Sequence, residues 1–142
     1  MVAPSADGIA RAMRAALDEA HFSSVDYVNT HATSTPTGDL VELQALREVF
    51  GERLPPFSST KGLTGHAIAA SGAQEGIFCL LMMEQGFVAG SANLEQPDPA
   101  LHGLPIVRTA REARLATVMT NSLGFGGTNA SLILRQWRDA PG

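Results

Sequence analysis

The segment from Val25 to Asp39 constrains the fold of this chain more than any other stretch. Its apolar start, Val25 to Val28, has the length of a short buried strand. A polar loop with one histidine, several hydroxyls, a proline and a glycine follows, and Asp39 then begins a helical pattern. Open α/β sheets present reactive groups in this way, where the carboxyl end of a strand leads into a helix. The segment therefore predicts an α/β fold with a functional site near His31.

The remaining pattern alternates helices with strands. Apolar periodicity predicts helices over residues 7–20, 39–50 and 67–85 and strands over 25–29, 57–60, 115–120 and 130–134. Gly51 and Gly86 are placed to end the second and third helices. Asp7 is placed to cap the first helix, and Asp39 and Glu42 have the spacing of a capping box.

The last two strands predict an antiparallel pair. Residues 121–129 join them, and a connection of nine residues is longer than a tight hairpin turn. We therefore expect a functional loop at this position. With helices packed on the sheet, the expected fold is a layered α/β domain that covers residues 1–142.

Composition excludes several classes of function. The net charge is −4 and the sequence pI is about 5.5, which argues against nucleic acid as a partner. The longest apolar stretch, Gly76 to Met83, is far shorter than the roughly 20 residues of a membrane span. A single cysteine excludes an internal disulfide, and with no secretory pattern at the N-terminus the expected location is the cytoplasm.

Two histidines are the candidate catalytic residues. His31 follows the first strand, and His66 follows Lys61 in a turn that contains Gly65. A cation near an imidazole disfavours the protonated ring, so we expect His66, near Lys61, to stay neutral and to donate one N–H. Two such donors directed at one oxygen would stabilise an oxyanion. The alternative for a lone histidine after a strand is a hydrogen-bonded structural role.

Other candidates are weaker. Two histidines without cysteine or carboxylate at ligand spacing give no zinc signature, and we expect His21 and His102 to be surface residues. Cys79 lies inside an apolar helix, so a buried core residue is favoured over a nucleophile. Gly124 to Gly127 lacks the lysine and the helix of a phosphate loop, which leaves a ligand-contacting loop or a flexible connection.

Three segments in this order resemble the C-terminal part of β-ketoacyl-acyl carrier protein synthases, the type I condensing enzymes of bacterial fatty acid synthesis. They are Asn29–Asp39, Lys61–His66 and Asn121–Asn129. The resemblance implies a thiolase-like α-β-α-β-α sandwich, of which this chain would be the C-terminal half, with a mixed sheet. It also implies a homodimer and a decarboxylative Claisen condensation of malonyl-acyl carrier protein with an acyl thioester.

The resemblance also implies roles for individual residues. His31 and His66 would be the catalytic histidines, with Lys61 as the electrostatic support of His66, and Phe125 would be the gate. The gate and oxyanion loop would contain the glycines Gly124, Gly126 and Gly127. The phosphopantetheine arm would be bound by Thr33 and Thr35. A structural cation would be surrounded by Asn29, Glu42, Glu75 and Asn121. No separate cofactor is implied, because the arm belongs to the acyl carrier protein.

Departures from the family pattern define the alternatives. The family nucleophile is a cysteine in the N-terminal half, and Cys79 does not align with it, so we expect a missing half or a second chain to supply it. Ala32 stands where glycine is usual, and Leu123 replaces a frequent phenylalanine beside the gate. The alternatives are a malonyl-thioester decarboxylase that does not condense, or a non-catalytic module that pairs with an N-terminal half or with acyl carrier protein.

Overall fold

The computed structural model describes residues 4–137 as a sheet with helices on both faces. The helices are α1 (Ala6–Ala20), α2 (Gly38–Phe50), α3 (Lys61–Thr64) and α4 (Ser71–Gln85). The strands are β1 (Tyr27–Asn29), β2 (Phe57–Ser58), β3 (Phe87–Val88), β4 (Arg111–Glu112), β5 (Thr117–Leu123) and β6 (Asn129–Arg135). The expected α/β fold class is confirmed.

The main sheet has the strand order β2-β1-β5-β6. β1 runs parallel to both β2 and β5, whereas β5 and β6 form the expected antiparallel pair, so the sheet is mixed. β3 and β4 form a separate two-stranded antiparallel sheet. Because β1 lies between two parallel neighbours, the loop that leaves its carboxyl end lies beside the ends of β2 and β5.

Alternation along the strands builds two cores. Val28 and Met119 pack with α1 and α2 on one face, and Tyr27 and Val118 pack with α4 on the other. The same alternation directs Asn29 towards the α4 face. The sheet is therefore the middle layer of three, with polar side chains where β1 and β5 end.

The ends of the helices agree with some of the predicted caps and differ from others. Gly51 and Gly86 follow the last residues of α2 and α4, as expected. The cap of α1 is Ser5, whose side chain accepts from the N–H of Gly8, so the prediction of Asp7 as the cap was wrong. Asp7 lies instead in the first turn, where its charge favours the helix dipole.

The predicted capping box of α2 was also wrong. Thr37 precedes the helix, and the carboxylate of Glu42 bonds to backbone N–H groups outside the helix rather than to its own first turn. The competing partners are donors of the preceding loop, which tertiary packing brings within reach. A second difference is the β5–β6 connection, which spans only residues 124–128 because both strands extend further than predicted.

The third helix begins later than predicted. A short 3-10 turn covers Ile68–Ala70, and α4 begins at Ser71 rather than at residue 67. The helix α3 was not predicted; it ends at Thr64 and is followed by Gly65, which has φ +70°. Within residues 4–137, no helix combines the length and the apolar composition needed to cross a membrane.

Candidate active site

The His31 loop is anchored by α2. Glu42 accepts from two successive backbone groups, the N–H of His31 at 3.0 Å and the N–H of Ala32 at 2.9 Å. The N–H of Thr30 donates to the carbonyl of Ser58 at 2.9 Å, which extends the strand pairing into the loop. These bonds hold the backbone of residues 30–32 and so fix the backbone position from which the His31 side chain extends.

The surroundings of His31 favour the neutral form of its imidazole. Burial of the ring, assisted by the positive charge of Lys61 and by His66, lowers the pKa of His31 from 6.5 to about 4. Its ring atom Nδ1 is buried and has no hydrogen-bond partner among residues 4–137. A neutral ring of this kind can donate one N–H to a ligand without carrying a charge.

The two predicted histidines meet. The ring centroids of His31 and His66 are 5.2 Å apart, and the ring planes are almost perpendicular at 86°. His66 follows the turn at Gly65 and is exposed, and its Nδ1 lies 2.7 Å from the hydroxyl of Ser71. Two imidazoles from different segments therefore lie in edge-to-face contact, and an oxyanion-stabilising pair requires such proximity.

Lys61 pairs directly with a carboxylate rather than with either histidine. Its ammonium is buried and forms an ion pair with Glu75 of α4. Burial raises the pKa of Glu75, and the bond to Lys61 acts in the opposite direction. The predicted electrostatic support by Lys61 concerned His66 and stays a prediction. The lysine charge acts instead on His31, whose pKa it helps to lower.

Thr33 and Thr35 lie on the same loop, on either side of Ser34. The hydroxyl oxygen of Thr35 accepts from the N–H of Gly38 at 3.2 Å. Asp39 accepts from the N–H of Ser34 at 3.1 Å, and Ser34 has a positive φ of 63°. The loop is thus curled around the start of α2. The hydroxyl of Thr35 keeps its hydrogen available as a donor to a ligand.

The predicted gate loop follows β5. The side chain of Phe125 is 87% exposed, and Gly126 and Gly127 both have positive φ, at 79° and 85°. The loop closes through one backbone bond, from the N–H of Gly124 to the carbonyl of Thr128 at 2.7 Å. Positive φ at two successive positions explains why glycines stand there.

The four residues predicted to surround a cation divide into two sets. Asn121 donates to Glu42 at 3.0 Å, while Glu75 pairs with Lys61. Buried oxygens of Asn29 and Glu75 have no partner among the described residues. As placed, the four side chains do not fit one shared cation, because Glu42 and Asn121 are hydrogen-bonded to each other. The cation site remains a prediction, and no chemical step is assigned to it.

The remaining candidates are placed as expected. His21 and His102 are exposed. Cys79, the only cysteine of the chain, is fully buried, and burial raises the pKa of its thiol to about 12. A protonated thiol inside the core is a poor nucleophile.

Sequence reasoning missed two serines that organise the site. Ser59 links two loops, since its hydroxyl donates to the carbonyl of Ala32 at 3.0 Å and accepts from the N–H of Lys61 at 3.3 Å. Ser71 contacts His66 directly. The only sequence signal for Ser59 is its position between a strand and the next helix, and Ser71 stands out as the single hydroxyl among small residues.

Comparison with known proteins gives a consistent family. The family described as "Beta-ketoacyl synthase, C-terminal domain" matches residues 1–95. The chain is 50% identical over 139 residues to 3-oxoacyl-(acyl-carrier-protein) synthase 1 of Escherichia coli, a match that covers 98% of this chain and 34% of that protein. The chain thus spans about a third of the length of the curated relatives it matches.

Solved structures agree with the fold. The chain is similar to the ishigamide ketosynthase/chain length factor, with a TM-score of 0.91 and 37% identity over 96% of this chain and 34% of the other. It is also similar to a β-ketoacyl synthase from Burkholderia phymatum, with a TM-score of 0.90 and 42% identity over 97% and 34%. The expected thiolase-like fold class is therefore confirmed, and the chain belongs to the β-ketoacyl synthase family, whose C-terminal domain it matches.

Proposed function

We propose that this chain supplies the histidine half of an active site that condenses malonyl-acyl carrier protein with an acyl thioester in fatty acid biosynthesis. The observation that carries the proposal is the meeting of His31 and His66, with ring centroids 5.2 Å apart. The lowered pKa of His31 supports it, because the neutral ring keeps one N–H that can donate to a developing oxyanion.

The first role of the pair is decarboxylation. Malonyl thioester loses carbon dioxide when the bond between its carboxylate and the methylene carbon breaks, and the electron pair passes into the thioester as an enolate. Negative charge then develops on the thioester oxygen. N–H groups of His31 and His66 would donate to that oxygen, in a site where preorganised donors are most effective.

Condensation needs a second group. The enolate carbon attacks an acyl thioester held on a cysteine, a carbon–carbon bond forms, and the cysteine thiolate leaves. Cys79 does not suit this role, since it is fully buried with its thiol pKa raised to about 12. The nucleophile in this proposal comes from protein outside this chain.

Other site residues have roles in substrate positioning. Thr33 and Thr35 would bond the phosphopantetheine arm, and Phe125 would gate entry, with its backbone N–H near the acyl oxyanion. The proposed partners are acyl carrier protein and a protein segment that covers α4. The segment that covers α4 is supported by three apolar side chains that this helix exposes. They are Ile77, Leu80 and Leu81, which are 55%, 51% and 46% exposed. The proposed compartment is the cytoplasm.

Release of carbon dioxide from malonyl-acyl carrier protein tests the proposal. We expect His31→Ala and His66→Ala each to lower the rate by about 10²–10³-fold, the usual effect of losing one oxyanion donor. His102→Ala, on an exposed loop, is the matched control and should keep the rate. Equal rates for all variants would reject the proposed role of the two histidines.

A decarboxylase without condensation is the second candidate. It is favoured by the observation that the chain combines both histidines with a single cysteine, Cys79, that is buried. Addition of the cysteine-bearing part of a family member distinguishes the two candidates. Formation of a β-ketoacyl product in the mixture supports the condensing enzyme, and decarboxylation without that product supports the second candidate. A stable acyl thioester on Cys79 would contradict both.

A further inference from the structure

We propose that Ser71 is a positioning residue that holds His66 in the tautomer with its proton on Nε2. This inference deepens the proposed function and rests on it for its catalytic consequence. Ser71 is the first residue of α4, and its hydroxyl lies 2.7 Å from Nδ1 of His66. The side chain is buried at 5% exposure, so water competes little for this bond.

In this proposal the hydroxyl donates to the ring, because a ring N–H that donated to the second lone pair of Oγ would leave the hydroxyl hydrogen without an acceptor among residues 4–137. Within residues 4–137, Ser71 Oγ has two partners, Nδ1 of His66 and the backbone N–H of Ala67 at 2.9 Å. An amide N–H can only donate, so it occupies an acceptor site of the hydroxyl. The hydroxyl hydrogen is then left with one acceptor in this part of the protein, the ring atom Nδ1.

A ring nitrogen that accepts a hydrogen bond carries no proton. In a neutral imidazole the proton is then on the other nitrogen, here Nε2 of His66. Nε2 has no protein partner among the described residues, so its N–H remains available to a ligand. Ser71 thereby turns His66 into a donor of fixed direction.

The two histidines differ in how they are held. The backbone of His31 is bonded by Glu42, but its Nδ1 has no partner in the described part of the chain. His66 is exposed, and Ser71 is its hydrogen-bonding side chain. In the run from Ala67 to Ala73, the other residues besides Ile68 are alanines and a glycine, so no neighbour offers a replacement hydroxyl.

Nitrogen-15 NMR of the full 142-residue chain tests the tautomer without any substrate. We expect the His66 ring to show an unprotonated Nδ1 and a protonated Nε2. Ser71→Ala should give a mixture of both tautomers, and Ser71→Thr, which keeps the hydroxyl, should restore the single form. Ser58→Ala removes another buried hydroxyl that does not contact His66 and should leave its spectrum unchanged.

Kinetics of malonyl-acyl carrier protein decarboxylation test the consequence. Ser71→Ala should lower kcat by about three- to tenfold, the effect of losing one buried hydrogen bond, with KM unchanged because the donor acts on the transition state. Ser71→Thr should recover the rate. A proton on Nδ1 of His66 in the unmodified chain, or a Ser71→Ala variant with an unchanged tautomer, would overturn the inference. If the unmodified chain releases no carbon dioxide, the proposed function fails, while the NMR result still decides the role of Ser71.

Discussion

Glu42 and Glu75 lie on opposite faces of the sheet, near the ends of β1 and β5, and the protein stabilises them differently. Glu42 accepts from neutral donors, two backbone N–H groups and the amide of Asn121. Glu75 pairs with the ammonium of Lys61. Both are almost completely buried, and burial raises the pKa of both. The α2 face thus satisfies a buried charge with dipoles and the α4 face with an opposite charge.

The difference explains what each face can do. Dipoles from the loop tie Glu42 to the backbone of His31, so this carboxylate acts on position. The ion pair of Glu75 brings a positive charge into the site, and that charge helps to keep His31 neutral. One carboxylate therefore orients the segment that carries the His31 imidazole. The other holds the lysine whose charge, together with burial of the ring, lowers the pKa of His31.

The largest expected effect comes from breaking the ion pair. Lys61→Met leaves Glu75 without its partner, and we expect the free energy of unfolding to fall by about 3–5 kcal/mol. The double variant Lys61→Met with Glu75→Gln removes both charges and should recover most of that loss. Urea denaturation measures both. A single variant as stable as the unmodified chain would show that the pair contributes nothing to the α4 face.

Removal of Glu42 should cost less, because water can replace some of its bonds. Glu42→Ala leaves two loop N–H groups and the Asn121 amide without an acceptor, and we expect a loss of about 2–3 kcal/mol. Glu48→Ala is the matched control on the exposed face of the same helix. Equal free energies of unfolding for the two variants in urea would show that the hydrogen bonds of Glu42 do not stabilise the α2 face.

The charge state of His31 predicts a pH dependence. A ring with a folded pKa of about 4 and an unfolded value of 6.5 stabilises the fold fully above pH 6.5 and loses that contribution as pH falls towards 4. After allowance for solvent screening of a partly exposed ring, the loss is roughly 1–2 kcal/mol. Urea midpoints between pH 4 and 7 measure it. His31→Gln should flatten the slope, and His102→Gln should not.

The smallest effect concerns a polar group that the α4 face leaves unsatisfied. The hydroxyl of Thr120, in β5, is buried without a partner among the described residues. Thr120→Val keeps the shape and removes the hydroxyl, so we expect a gain of up to about 1 kcal/mol in unfolding free energy. Thr120→Ser, which keeps the hydroxyl and removes a methyl group, should lose about as much. A lower free energy of unfolding for Thr120→Val would show that the Thr120 hydroxyl is hydrogen-bonded in the folded protein.

Local sequence patterns predicted the three long helices and the four strands of the main sheet, because strand–loop–helix order and Gly51 or Gly86 at helix ends are local signals. The short elements α3, β3 and β4 were missed, because two to four residues are too few to show a periodicity. The role of Glu42 as part of a capping box was predicted wrongly, because its partners are set by contacts that are distant in the sequence. Its spacing from Asp39 fits a capping box, but its partners include Asn121, which is 79 positions away in the sequence. Ser71 was missed because small residues around it indicate close packing and say nothing about one hydroxyl.

The position of β1 between β2 and β5 has a consequence for synthesis on the ribosome. Asn29 pairs in the sheet with Thr120, and Asp26 bonds to the N–H of Thr117, about 90 residues later. At roughly 5–20 residues per second, β1 waits about 5–20 s for its second neighbour. During that interval one edge of β1 is unpaired, so this strand is where a nascent chain would engage a chaperone. The His31 loop, which depends on that strand, is completed only after β5 has been synthesised.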